Sequence, residues 1–199
     1  MLQLESNGYI QSLAYQIQKE GNVCNGDSFF IKATEDYFIC LVADGLGSGL
    51  NAHASSNAIR EVVKQYHHEE VEVLIDICNK ELKNKRGATV SILKVNFLHK
   101  KFTYSSVGNI RFILYSPSDQ FIYPLPVFGF LSGKPQKYRI DTFSYEKGSK
   151  FIIHTDGIYI PAVKQLLRSV RTIEDMSNYL KMYTKTRNDD LTYIIGQLF

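Results

Sequence analysis

Cysteine is scarce in this chain. The three that occur, Cys24, Cys40 and Cys78, are odd in number and widely spaced, which excludes a disulfide framework and fits a reducing compartment. Long hydrophobic runs are missing too. The longest purely apolar stretch is Phe38 to Ala43, far short of the roughly 20 residues a membrane span needs. Charge of one sign is not in excess: 23 basic against 20 acidic residues leave +3, so no strong field drives nonspecific binding to nucleic acid or membrane. Lys80, Lys83, Lys85 and Arg86 are interleaved with few aromatics, a weak nucleic-acid signal. The opening MLQLESNGYIQ has no basic stretch followed by an apolar one, so it is not read as a signal peptide and the expected location is the cytoplasm. Internal repeats, low-complexity tracts and linkers are also lacking.

What is present suits one globular domain over residues 1–199. Hydrophobic residues make up 44% and charged residues 22%, and a chain this long buries a sizeable core without staples. Strands are expected at 10–18, 28–33 and 37–43, the last a buried one. A glycine-rich turn, Asp44 to Gly49, precedes a helix over 50–66. The i, i+3, i+4 spacing of Val71, Leu74, Ile75, Cys78 and Leu82 predicts a second helix over 70–84. ATVSILKVNF and KFTYSSVG, joined by a polar turn at Leu98 to Lys100, read as a hairpin, followed by IRFILYS. Four of the five prolines lie between Pro117 and Pro135 and mark an irregular stretch or short edge strands. Strand signals return at 138–145 and 149–155. Two helices follow, the second opening at Thr172-Ile-Glu-Asp175 like a capping box. Residues 191–198 close as a strand. Hairpin-linked strands with helices outside predict an α+β fold of mostly antiparallel sheets.

The aspartates fall where strands end. Asp44 closes FICLVA and Asp156 closes FIIHT, each followed by glycine; Asp189 and Asp190 precede LTYIIG; Asp27 precedes SFFI. If these ends converge, two carboxylates ~4 Å apart repel by roughly 4 kcal/mol at an effective dielectric of about 20. Several together need cations, and the basic residue nearest them in sequence is Arg187. Hard divalent ions such as Mg²⁺ or Mn²⁺ prefer such oxygen ligands, and the glycines let the backbone approach an ion. The plain alternative is that Asp-Gly marks turns.

Taken in order, Gly26-Asp27-Ser28, Asp44-Gly45-Leu46-Gly47-Ser48-Gly49, Gly87-Ala88-Thr89, Val107-Gly108-Asn109-Ile110-Arg111, Thr155-Asp156-Gly157 and Asp189-Asp190-Leu191-Thr192 resemble the motifs of the PPM-type (protein phosphatase 2C-like) metal-dependent serine/threonine phosphatases. KNKRGAT and SGKPQKY look most like the branch in the bacterial sigma-B general stress pathway. The resemblance implies a four-layer α-β-β-α sandwich with two Mn²⁺ or Mg²⁺ ions at one end. It implies that Asp44 bridges both ions, that the Gly45 carbonyl holds one, and that Asp156 and Asp189 hold the other. Asp27 would act through metal-bound water, with Asp190 the fallback for Asp189. It further implies phosphorylated RsbS and RsbR of the stressosome as substrates, and negative feedback on sigma-B. Catalysis would run through these aspartates and activated water, without a phosphoenzyme.

Three departures from the family pattern stand out. Gly26 replaces a common Glu, Asn109 replaces an Asp linked to a third metal, and residues 1–26 hold no arginine to bind phosphate. Arg86 is a candidate for that last role, its plain alternative being a solvated loop charge. Cys40 and Cys78 are read as core residues. His154 is read as structural, and His67-His68 as a cationic helix end. The glycines at 45, 47 and 49 fit neither a P-loop nor G-x-G-x-x-G, and Ser48 lacks the flanking glycines of a nucleophile elbow. Two other functions remain open: a noncatalytic metal-dependent phosphoprotein-binding module, and a phosphoesterase of small molecules. The 117–137 stretch is the expected place for partner recognition.

Overall fold

The computed structural model describes residues 1–184 and 188–199. The strands form two sheets in which every neighbouring pair is antiparallel. The first runs β1 (Leu2–Ser6), β2 (Ile10–Ile17), β11 (Leu191–Leu198), β10 (Lys150–His154), β7 (Arg111–Tyr115) and β8 (Phe121–Ile122). The second runs β3 (Asp27–Ala33), β4 (Tyr37–Gly45), β5 (Ala88–Asn96), β6 (Lys101–Val107) and β9 (Asp141–Ser144). Helices α1 (Leu50–Tyr66) and α2 (Val71–Glu81) cover the second sheet; α3 (Val163–Ser169) and α4 (Ile173–Lys181) cover the first.

Three apolar layers explain this stacking. Phe38, Cys40 and Val42 of β4 point between the sheets, where they meet Phe112, Phe151 and Ile153 of the opposite sheet. Ile39, Leu41 and Ala43 of the same strand face the helices, with Ile59, Val63 and Leu74. A strand buried on both faces needs no polar alternation, which is why FICLVA reads as a continuous apolar run. Ile152, Tyr193 and Ile195 form the third layer against Leu167, Met176 and Leu180.

Most expected elements are found, with instructive differences. The helix over 50–66 has those bounds, and the capping box is made: Asp175 N donates to Thr172 Oγ1 at 3.0 Å and Thr172 N to the Asp175 carboxylate at 3.3 Å. β1 has no counterpart in the sequence reading, because none of its side chains is buried. The strand expected over 138–145 shrinks to Asp141–Ser144, the length over which it pairs with β6. The proline-rich stretch holds the short edge strand β8 and is otherwise irregular, as expected, and it is pinned by backbone bonds of Val127 to Ser106 and Gly108, and of Leu131 to Ala88. His67 is not a cationic helix end. Burial, Lys32, His68 and Lys94 hold its pKa below the usual value; its Nε2 accepts from Lys32 Nζ at 2.8 Å, and its Nδ1 bonds the Tyr37 hydroxyl at 2.6 Å. Among the described residues no helix is long and apolar enough to cross a membrane.

Candidate metal and phosphate centre

Antiparallel pairing carries the acids to one end of the sandwich. Asp27 opens β3 directly opposite Asp44 near the end of β4. In the other sheet β10 ends as β11 begins, so Asp156 lies beside Asp189 and Asp190. Thr155 fastens the two sheets together there. Its hydroxyl donates to Asp27 Oδ2 at 2.9 Å and accepts from Thr192 N at 3.0 Å. Gln16 adds a second tie, donating to the Asp27 carbonyl and to Thr192 Oγ1, each at 3.1 Å.

The acids repel one another. Asp44 is pushed up to about 7, first by burial, then by Asp156, Asp189 and Asp190. Asp27, only 2% exposed, is raised well above the ordinary carboxylate range by burial and by Asp44, against bonds from Thr192 and Thr155 that favour the anion. The ion pairs among the described residues engage other acids, and Arg187 lies outside the described residues. Poorly solvated carboxylates without a basic partner fit hard divalent cations by their all-oxygen donor set. Among the described residues no three or more His, Cys, Asp or Glu side chains stand together in the arrangement of a metal site.

Asp189 and Asp190 differ sharply. The Asp190 carboxylate is buried and accepts from Lys19 N and Gly26 N, both at 2.8 Å. It therefore braces the chain between β2 and β3. Asp189 is exposed and lines a groove of about 430 Å³ together with Asp156. The Gly26 departure matters at the same place: a Cβ there would stand 2.8 Å from Asp190 Oδ2, so a side chain at 26 would crowd this carboxylate. Asn109 donates through Nδ2 to Asp156 Oδ2 at 2.8 Å and so orients that acid.

The glycines after Asp44 and Asp156 are required by packing. A Cβ on Gly45 would lie 1.9 Å from the Ala52 carbonyl oxygen, and one on Gly157 1.9 Å from that of Asp190. Arg86 comes to the glycine-rich turn: its Nη1 would stand 2.7 Å from a Cβ on Gly47. A backbone bond from Leu46 N to the Gly87 carbonyl, 3.0 Å, joins the two loops. His154 is buried, donates to the Thr155 carbonyl at 2.8 Å and is held neutral by burial, the structural role expected. Thr155 and the bracing role of Asp190 were not singled out from sequence; the Thr155-Asp156-Gly157 motif was the available signal.

The fold is that of protein phosphatase 2C, and the chain belongs to the family described as Stage II sporulation protein E (SpoIIE), whose model matches residues 34–197. Over 198 residues it is 59% identical to phosphoserine phosphatase RsbX of Bacillus subtilis (strain 168), covering 100% of each chain. A crystal structure of RsbX in complex with magnesium superposes with a TM-score of 0.97 at 58% identity, again covering 100% of both. A structure described under the bacterial stressosome, "a modular system that has been adapted to control secondary messenger signaling", gives a TM-score of 0.84 at 26% identity, covering 94% of this chain and 99% of the other.

Proposed function

We propose that the whole chain, residues 1–199, acts as one metal-dependent phosphoserine phosphatase domain of stressosome signalling in the cytoplasm. The observation that carries the reading is the placing of Asp27, Asp44, Asp156 and Asp189 at one end of the sandwich, with no ion pair to them among the described residues. Full-length similarity to a phosphoserine phosphatase supports the substrate class. The expected substrates are phosphorylated RsbS and RsbR, whose dephosphorylation damps sigma-B activity.

In this reading Asp44, Asp156, Asp189 and the Gly45 carbonyl would hold two divalent ions, Mn²⁺ or Mg²⁺, and Asp27 would support them through water. Such ions supply positive charge against the phosphoryl oxygens and make water a better nucleophile. The protein's own groups do the positioning. Thr155 fixes Asp27, Asn109 turns Asp156, and Asp190 braces the loop that leads into Asp27. Arg86, beside Gly47, offers a guanidinium to phosphate at the mouth of the site.

The test is phosphate release from p-nitrophenyl phosphate and from a phosphoserine protein, with Mn²⁺ or with chelator. Turnover is expected with Mn²⁺ only. Asp156→Asn should lose at least about a hundred-fold in kcat. A folded, metal-binding protein without turnover would instead be a phosphoprotein-binding module. Faster hydrolysis of free phosphoserine than of the phosphoprotein would point to a small-molecule phosphoesterase.

A further inference from the structure

Beside the acid groove lies a second cavity of different character. It measures about 580 Å³, within the range of roughly 300–1,000 Å³ that ligand pockets occupy. Its floor is apolar, formed by Ile113, Ile158 and Ile160. The 123–126 stretch closes one side and the chain leading into α3 the other. Its charged lining is cationic, Arg111 and Lys164, with no aspartate or glutamate among the described residues. Lys164 Nζ sits over the Tyr123 ring at 4.8 Å and the Phe121 ring at 5.2 Å, and it forms no ion pair among the described residues.

This cavity adjoins the acid groove. Tyr159, 78% exposed, lines both, and Asn109 lines the cavity while bonding Asp156. A phosphoserine brought to the acids would therefore carry its neighbouring residues over the cavity.

We propose that this cleft binds the substrate segment next to the phosphoserine, taking a large apolar side chain on its floor and an acidic residue at Arg111 and Lys164. The inference rests on the phosphatase reading and adds a sequence preference to it. An apolar floor rewards a leucine-sized side chain. A cationic rim without acids attracts a carboxylate and repels a basic segment. The cleft thus favours a phosphoserine flanked by apolar and acidic residues over one flanked by lysine or arginine.

The experiment uses the Mn²⁺-loaded full chain and a set of phosphoserine peptides. Leucine, glutamate and lysine are placed in turn at each position on either side of the phosphoserine, against a background of serine and glycine. At one flank leucine is expected to raise kcat/KM by about ten-fold or more, glutamate to raise it at a nearby position, and lysine to lower it. Tyr123→Ala and Lys164→Glu alter exposed side chains. They should abolish the leucine and glutamate preferences respectively, leaving turnover of p-nitrophenyl phosphate within about two-fold of wild type. Equal rates for all peptides, or preferences that survive both substitutions, would overturn the proposal while p-nitrophenyl phosphate turnover upholds the phosphatase reading. If no substrate is turned over, that reading has failed. Fluorescence anisotropy of the labelled leucine–glutamate peptide then decides the cleft: binding weakened by both substitutions supports it, and unchanged binding sinks it.

Discussion

Gly45 follows Asp44, and the side chain it lacks would overlap the Ala52 carbonyl oxygen at 1.9 Å. Gly45→Ala is thus expected to destabilise the fold by about 2 kcal/mol or more, through overpacking against backbone that cannot yield; urea unfolding measures it. Arg86 carries a different prediction. Arg86→Ala should weaken inhibition by inorganic phosphate about ten-fold and raise KM for p-nitrophenyl phosphate, with stability unchanged because the residue is exposed. Unchanged kinetics would return Arg86 to the status of a solvated loop charge. The acids of the site were readable because charged groups at the ends of apolar strands have few explanations. Asp190 was harder to interpret. Its partners, the amides of Lys19 and Gly26, are backbone groups far away in sequence, and no residue type advertises them.

Helix α4 begins with two reciprocal bonds between Thr172 and Asp175. Thr172→Ala removes one orphan-amide acceptor and is expected to lower stability by about 1 kcal/mol, read as a shifted urea midpoint with an unchanged slope. Elements such as this, and β4 with both faces buried, were legible because a local signal and the tertiary setting agree. β1 was not. It is an edge strand with exposed or half-buried side chains, held by backbone pairing to β2. Backbone pairing leaves no mark in a side-chain pattern. β9 was overestimated for a related reason: β-like residues before Asp141 have no strand to pair with, and Tyr138 instead donates to Asp76 of α2.

For the molecule as a whole, the acid end should make stability depend on pH and metal together. The Asp44 carboxyl titrates near 7 in the folded chain against an ordinary 3.8. The folded state therefore takes up its proton more readily than the unfolded one. Without divalent metal, stability should rise as pH falls from about 7 toward 4, and fall as pH climbs through 7. A melting temperature higher at pH 5.5 than at pH 8 in chelator would show this. Adding Mn²⁺ should reverse the order, because the ion must displace the proton and binds best above pH 7. Calorimetry in two buffers of different ionisation enthalpy would count the protons released. The antiparallel sandwich was legible from its hairpins and two-sided strands. The order of strands within each sheet was not, since β2, β11 and β10 come together from opposite ends of the chain.

The Thr155 hydroxyl reaches across from the β10 end of one sheet to the Asp27 carboxylate of the other. The acids on either side of it belong to different layers, joined there like two pages at a spine. A cation drawn to them, as proposed, would be gripped by both layers at once. Prying the layers apart would open its cage, and stripping it out would leave a wedge of like charge in the spine. Ion loss and parting of the layers should thus proceed as one cooperative event, in which the carboxylates proposed for the chemistry would also decide how long the molecule stays closed.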